Sequence, residues 1–168
     1  MLARLEDGTR VAIRPIRPSD KLGLVASREL FSDETMRRRF LSPKPMLSRA
    51  ELRYLTEVDG DSHYALVAAP LDRLDLIVAA ARFVRLPEDP STAEAAIVVA
   101  DSYQRAGLGR RLALMLADAA RERGVRRFTA TMLSDNPAAL RLMQTLSRRL
   151  EYGPHDHGTR AVVSELAA

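Results

Sequence analysis

The chain has 168 residues, 46% of them hydrophobic and 29% charged, which is the size and composition of one folded domain and excludes general disorder or a low-complexity fibre. It has no cysteine, so disulfides, thiolate zinc sites and cysteine nucleophiles are ruled out. Its net charge of +4 rests on arginine, since Lys21 and Lys44 are the only lysines, and arginine favours planar contacts with phosphate and carboxylate. The basic clusters at 37–39, 126–127 and 148–149 are scattered and only four Tyr and four Phe could stack on bases, so no nucleic-acid partner is expected. No apolar run nears the roughly 20 residues that span a bilayer, and residues 1–10 lack a signal-peptide core. A cytoplasmic protein without a membrane partner is expected.

Residues 9–17 alternate Val11, Ile13 and Ile16 against arginines, a strand that Pro15 confines to a sheet edge or a strand end. A helix start follows at Pro18-Ser19-Asp20. Ser32 caps a short helix to about Phe40, Pro43 and Pro45 break it, and Ser48 with Glu51 forms the capping box of another. Strands are predicted over 63–69, 76–86 and 92–100, with turns at 71–75 and 87–90. Residues 108–122 form an amphipathic helix closed by Gly124, 125–133 a strand, and 137–146 a helix opened by Asp135 or Asn136. Strands at 149–152 and 159–165, joined by a loop at 153–158, complete a mixed α/β sheet. Residues 1–168 show no repeat or linker and read as a single domain.

The most informative segment is Gln104-Arg105-Ala106-Gly107-Leu108-Gly109-Arg110, placed between a strand and a helix. Helix N-termini expose unpaired N–H groups with partial positive charge, and glycines let an anion approach the backbone. Neither a Walker loop nor a dinucleotide fingerprint fits, since no Gly-Lys-Ser/Thr and no third glycine follow.

With Gln104, Gly107 and Gly109 in the pattern Gln/Arg-x-x-Gly-x-Gly/Ala, the chain resembles the GCN5-related N-acetyltransferase (GNAT) superfamily. The resemblance extends back through 94–101 and forward to Asn136. Residues 14–20, Arg38-Arg39-Phe40 and Ala93-Glu94 are similar to the acetyltransferase domain of bacterial protein lysine acetyltransferases. It implies an acyl-CoA N-acyltransferase fold, with a central sheet splayed between the strand ending at Ala100 and the strand beginning at Val125, flanked by helices. Acetyl-CoA, a cosubstrate, would lie in the splay. Backbone groups of Ile97, Val98 and Val99 would bond its pantetheine arm, the loop amides of Arg105, Ala106, Gly107, Leu108, Gly109 and Arg110 its pyrophosphate, and Asn136 the thiol end. Asn136 serves equally well as a helix cap.

The resemblance makes Glu94 the general base that deprotonates a primary amine, with a protein lysine as the favoured acceptor. Glu94 is the one acid in an apolar strand, and burial against Ala93, Ala95 and Ile97 would raise its pKa toward a useful range. A surface glutamate or an arginine partner is the alternative. Many relatives place a thiolate-protonating tyrosine seven residues after the asparagine; here that residue is Met143, and Tyr152 and Ser134 are weak substitutes. No metal is expected: His155-Asp156-His157 reads as a solvated turn, and His63 as an ordinary partly buried histidine. Small-molecule or N-terminal amine acetylation, and a non-catalytic CoA-binding module, remain open alternatives. The strand from Thr159, read as a sheet edge, could pair in a homodimer.

Overall fold

The computed structural model describes residues 1–43 and 46–167, so Pro45, predicted to help break the second helix, lies outside the described residues. Eight strands form one sheet in the order β1-β2-β3-β4-β5-β6-β8-β7. The first five are β1 (Leu2–Arg4), β2 (Arg10–Pro15), β3 (His63–Pro70), β4 (Ala79–Leu86) and β5 (Asp89–Val99), a continuous antiparallel run. β6 (Arg127–Leu133) joins it in parallel, and β7 (Ser147–Asp156) and β8 (Thr159–Leu166) finish it antiparallel. The mixed sheet expected from sequence is therefore present. No helix among the described residues is long and apolar enough to cross a membrane.

Helices α1 (Lys21–Ala26), α2 (Asp33–Phe40) and α3 (Arg49–Thr56) link β2 to β3; α4 (Leu108–Glu122) and α5 (Pro137–Leu146) flank β6. The caps set these bounds. Ser32 Oγ accepts from Thr35 N, Ser48 and Glu51 close a reciprocal capping box, and Asn136 Oδ1 accepts from Ala139 N. At the end of α4, Gly124 takes a left-handed φ of 81°, while Val125 N bonds Ala120 O and Gly124 N bonds Arg121 O. The buried stripe Leu108, Leu112, Ala113, Leu116, Ala117 and Ala120 packs this helix on the sheet, where Phe83 and Phe128 are also fully buried.

Several strand bounds differ from those predicted. β4 begins at Ala79 rather than 76, because the Ile77 N–H is taken by the Ser27 hydroxyl at 2.7 Å instead of a ladder carbonyl. β5 begins at Asp89, leaving a two-residue turn at Pro87-Glu88. The loop expected at 153–158 is mostly strand: β7 runs to Asp156 with an irregularity around Gly153 and Pro154. His157 and Gly158, both at positive φ, make a tight hairpin turn of the kind that matches strand twist. The strand from Thr159 is consequently not an edge, since β8 lies between β6 and β7; the edges are β1, at three residues too short to announce itself in sequence, and β7. Pro15 ends β2, which is an interior strand.

Candidate active site

β5 and β6 pair over three positions only, Thr92 with Arg127, Ala93 with Phe128 and Glu94 with Thr129. Beyond Glu94 the strands part, as the predicted splay requires. β5 stays bonded to β4 and β6 to β8, so residues 95–99 present a main-chain edge toward the gap. The gap is a cleft of about 510 Å³, walled by β5 residues 95–99, by Phe128, Ala130 and Met132 of β6, by α5, by the start of α4, and by Thr35, Arg38 and Arg39 of α2.

The motif loop closes one end of this cleft. Gly107 caps α4 at a left-handed φ of 82°, and Arg105 is also left-handed at 59°. Helix geometry leaves the Leu108, Gly109 and Arg110 N–H groups without intrahelical acceptors. Arg105, Gly107, Gly109 and Arg110 line the cleft, whereas the Ala106 and Leu108 side chains are buried in the core, which leaves only their main chain for a ligand. The Ala106 carbonyl already accepts from Glu6 N. Gln104 also lines the cleft, and its Nε2 donates to Val99 O at 3.0 Å and to Thr35 Oγ1 at 3.2 Å, so one of the three expected pantetheine-binding residues has its carbonyl engaged.

Asp101, which the sequence did not single out, completes this latch. Its carboxylate accepts from Ser32 N at 2.8 Å, Ser32 Oγ at 2.7 Å and Thr35 Oγ1 at 3.1 Å, fastening the start of α2 to the loop after β5. Desolvation pushes this carboxyl up, but those three donors outweigh it and hold the pKa below the ordinary aspartate value. Asp101→Ala is expected to cost about 1 kcal/mol, the usual net worth of such bonds at a solvated site, and a urea unfolding midpoint measures it.

Glu94 sits at the apex of the splay as the last β5 residue paired with β6. Its burial was expected and is not found: Glu94 is exposed. Side chains alternate across a strand, so Ala93 and Ala95 turn toward the α4 core while Glu94 shares the opposite face with Arg82, the cross-strand partner of Ala96. Neighbours in sequence are the wrong ones to bury it.

That opposite face is strongly cationic. Arg82 is only 6% exposed and bonds neutral partners, Leu55 O at 3.1 Å and His63 Nε2 at 2.9 Å. Burial, with the adjacent Arg39 charge, pushes its pKa down to about 10. Arg39 lies over the Phe40 ring, 4.8 Å from its centroid, and is likewise pushed down by burial, with Glu94 and Tyr54 opposing. Five arginines and no carboxylate are among the described residues that line the cleft, a field suited to an anion. The Arg37–Arg39 run was the signal for two of them, but the sequence could not say that Arg38 and Arg39 face the cleft.

His63 touches the Tyr54 ring, with centroids 4.8 Å apart, and burial with Arg82 pushes its pKa down to about 4. The folded state therefore binds this proton more weakly than the unfolded chain, whose histidines titrate near 6.5. Stability present above pH 6.5 is expected to fall as pH drops toward 4, and His63→Gln is expected to flatten that slope in urea midpoints taken across the window.

Asn136 lines the cleft and caps α5 at once, spending its carboxamide oxygen on Ala139 N at 3.2 Å. Met143 is 5% exposed and lines an apolar stretch with Leu142, Leu146 and Met132, so no phenol stands there. His155 bonds Arg160 Nε at 3.1 Å, and His157 pairs with Asp156 on an exposed turn.

Comparison with known proteins agrees with this geometry. A model of the Acetyltransferase (GNAT) family matches residues 28–147. Acetyltransferase Pat of Mycolicibacterium smegmatis is 39% identical over 97 residues, which cover 58% of this chain and 28% of that protein. The chain thus matches a little over a quarter of that curated relative. The crystal structure of the GNAT domain of S. lividans PAT superposes with a TM-score of 0.87 at 28% identity, covering 99% of this chain and 96% of that one. The fold alone is shared with yncA of Salmonella typhimurium, solved with its cofactor acetyl-CoA, at a TM-score of 0.70, 19% identity and 94% coverage of both chains. A family match across most of its length, on a sheet that splays beyond Glu94 toward the motif loop, places this chain in the GNAT family of N-acetyltransferases.

Proposed function

We propose that this chain, as one GNAT domain, transfers the acetyl group of acetyl-CoA to the side-chain amine of a protein lysine by direct attack, with Glu94 as general base. The observation that carries the reading is the splay: pairing of β5 with β6 stops at Glu94, and the gap runs from there to the anion-suited start of α4. The likeness to acetyltransferase Pat and to the GNAT domain of PAT supports a lysine acceptor.

Each part of the cleft has a task. The amides of 105–110 hold the diphosphate, with Arg105 and Arg110 adding charge. Main-chain groups of Ile97 and Val98 bond the pantetheine amides and position the thioester, and the Val99 carbonyl, already held by Gln104, fixes the end of that strand. Asn136 has only its NH2 left to offer, since its oxygen caps α5. A lysine ammonium, with an ordinary pKa of about 10.4, gives its proton to Glu94 directly or through a water. The freed amine nitrogen attacks the thioester carbon, the C–S bond breaks as the sulfur leaves as thiolate, and the nitrogen gives up its second proton to solvent or to that thiolate. A thiol of pKa about 8.5 leaves tolerably as the anion, which fits an apolar Met143 in place of a phenol.

Incubating proteins of a bacterial lysate with the enzyme and acetyl-CoA, followed by mass spectrometry, is expected to reveal enzyme-dependent acetyl-lysine. Turnover confined to small amines would overturn the acceptor, and absence of CoA binding would overturn the whole reading.

A further inference from the structure

The acceptor side of the cleft has an electrostatic oddity that acetyl-CoA binding does not use. Arg105 and Arg110 belong to the phosphate end, and Arg38 is matched by Glu34, whose Oε1 lies 2.8 Å from its Nε. Arg39 differs. It lines the cleft from α2, and among the described residues no carboxylate lies within ion-pair distance of it or of Arg82 behind it. Arg82 is locked by two neutral acceptors, which fix its position without cancelling its charge. Its partner His63 accepts through Nε2 and is therefore neutral, so it supplies no counter-charge.

Two guanidiniums with one exposed carboxylate, Glu94, make a poor reception for a bare lysine ammonium. The approaching cation meets repulsion from Arg39 and Arg82 before it reaches Glu94, in surroundings where burial weakens screening. An acceptor with its own carboxylate beside the amine arrives with no net charge and can give Arg39 the bidentate anion that the guanidinium fork suits. We propose that Arg39, backed by Arg82, is a specificity site for a carboxylate carried by the acceptor, so that the amines acetylated are those with a carboxylate close by. In a protein that group is an acidic residue flanking the lysine; in a free amino acid it is the α-carboxylate. The inference rests on the proposed function, because it presumes that the amine enters from the Glu94 side.

The test compares acceptors in matched pairs: a lysine peptide flanked by Glu against the same peptide flanked by Gln, and free lysine against its α-amide. Rates are followed with wild type, Arg39→Gln and Arg39→Lys, and CoA binding by calorimetry reports whether each protein is folded. The expected result is a preference in kcat/KM of about tenfold or more for the Glu-flanked peptide, collapsing to about 1 in Arg39→Gln and partly kept in Arg39→Lys. A preference confined to the free amino-acid pair assigns the same site to an α-carboxylate. Equal rates within both pairs, turnover of none of the four while CoA binds, or a preference untouched by Arg39→Gln overturns the proposal. Loss of CoA binding by the wild type overturns the function beneath it instead.

Discussion

Replacing Glu94 by Gln is expected to lower kcat about 10²- to 10³-fold while the CoA dissociation constant stays within a factor of two. Two features set the size of the effect. Glu94 stands at the apex of the splay and no carboxylate is among the described residues lining the cleft beyond it, so nothing along the cleft can inherit the proton. The carboxamide keeps the shape at the apex of the splay and removes only the basic oxygen. Because Glu94 is exposed and leaves the core untouched, the folded state is expected to change by no more than about 0.5 kcal/mol, so lost activity cannot be lost structure. Steady-state kinetics paired with calorimetry decides the matter. A variant within threefold of wild type would remove Glu94 from the chemistry and favour a base recruited from the acceptor or from solvent.

The second large effect concerns the motif glycines, which sequence treats alike and geometry separates. At Gly107 the left-handed φ of 82° penalises any side chain by about 1–2 kcal/mol. A Cβ there would also stand 3.0 Å from Glu6 Oε1, a contact that a flexible surface carboxylate can relieve. The backbone is the larger problem, because relaxing it swings the first amides of α4 out of line. Gly107→Ala is expected to weaken CoA binding at least tenfold. Gly109 sits inside the helix, where a Cβ would meet Val99 Cγ2 at 3.6 Å and Leu142 Cδ1 at 3.8 Å, ordinary contact distances. Gly109→Ala is expected to bind CoA within threefold of wild type and to gain up to about 1 kcal/mol of stability from helix propensity. Equal loss of binding in the two variants would show that bulk, not conformation, governs this loop.

What was legible from sequence follows from how local the determinants are. The bounds of α4 and α5 are written in Gly107, Gly124, Asn136 and Pro137, and both helices fall where those residues put them. The hairpin at His157-Gly158 is also local, but a histidine at positive φ is an unusual marker and the strand before it is interrupted by Gly153 and Pro154. The splay was expected only through resemblance, because where two strands cease to pair depends on partners 35 residues apart. The same holds for Glu94, whose surroundings are set by β4 and α2 across the sheet rather than by the alanines beside it. Arg39 and Arg82 lie 43 positions apart in the chain, and no spacing rule brings them together.

The three-residue seam between β5 and β6 has a kinetic consequence. β1 to β5 form one block of antiparallel neighbours, and β6, β8 and β7 form another. Three residue pairs join the two blocks, and they meet only when the 15-residue crossover helix α4 is docked. The seam is then the first line along which the native sheet loosens. Amide hydrogens of Glu94 and Thr129 should exchange earlier than those at the centre of β3 and β4, and a ligand spanning the seam should slow them most.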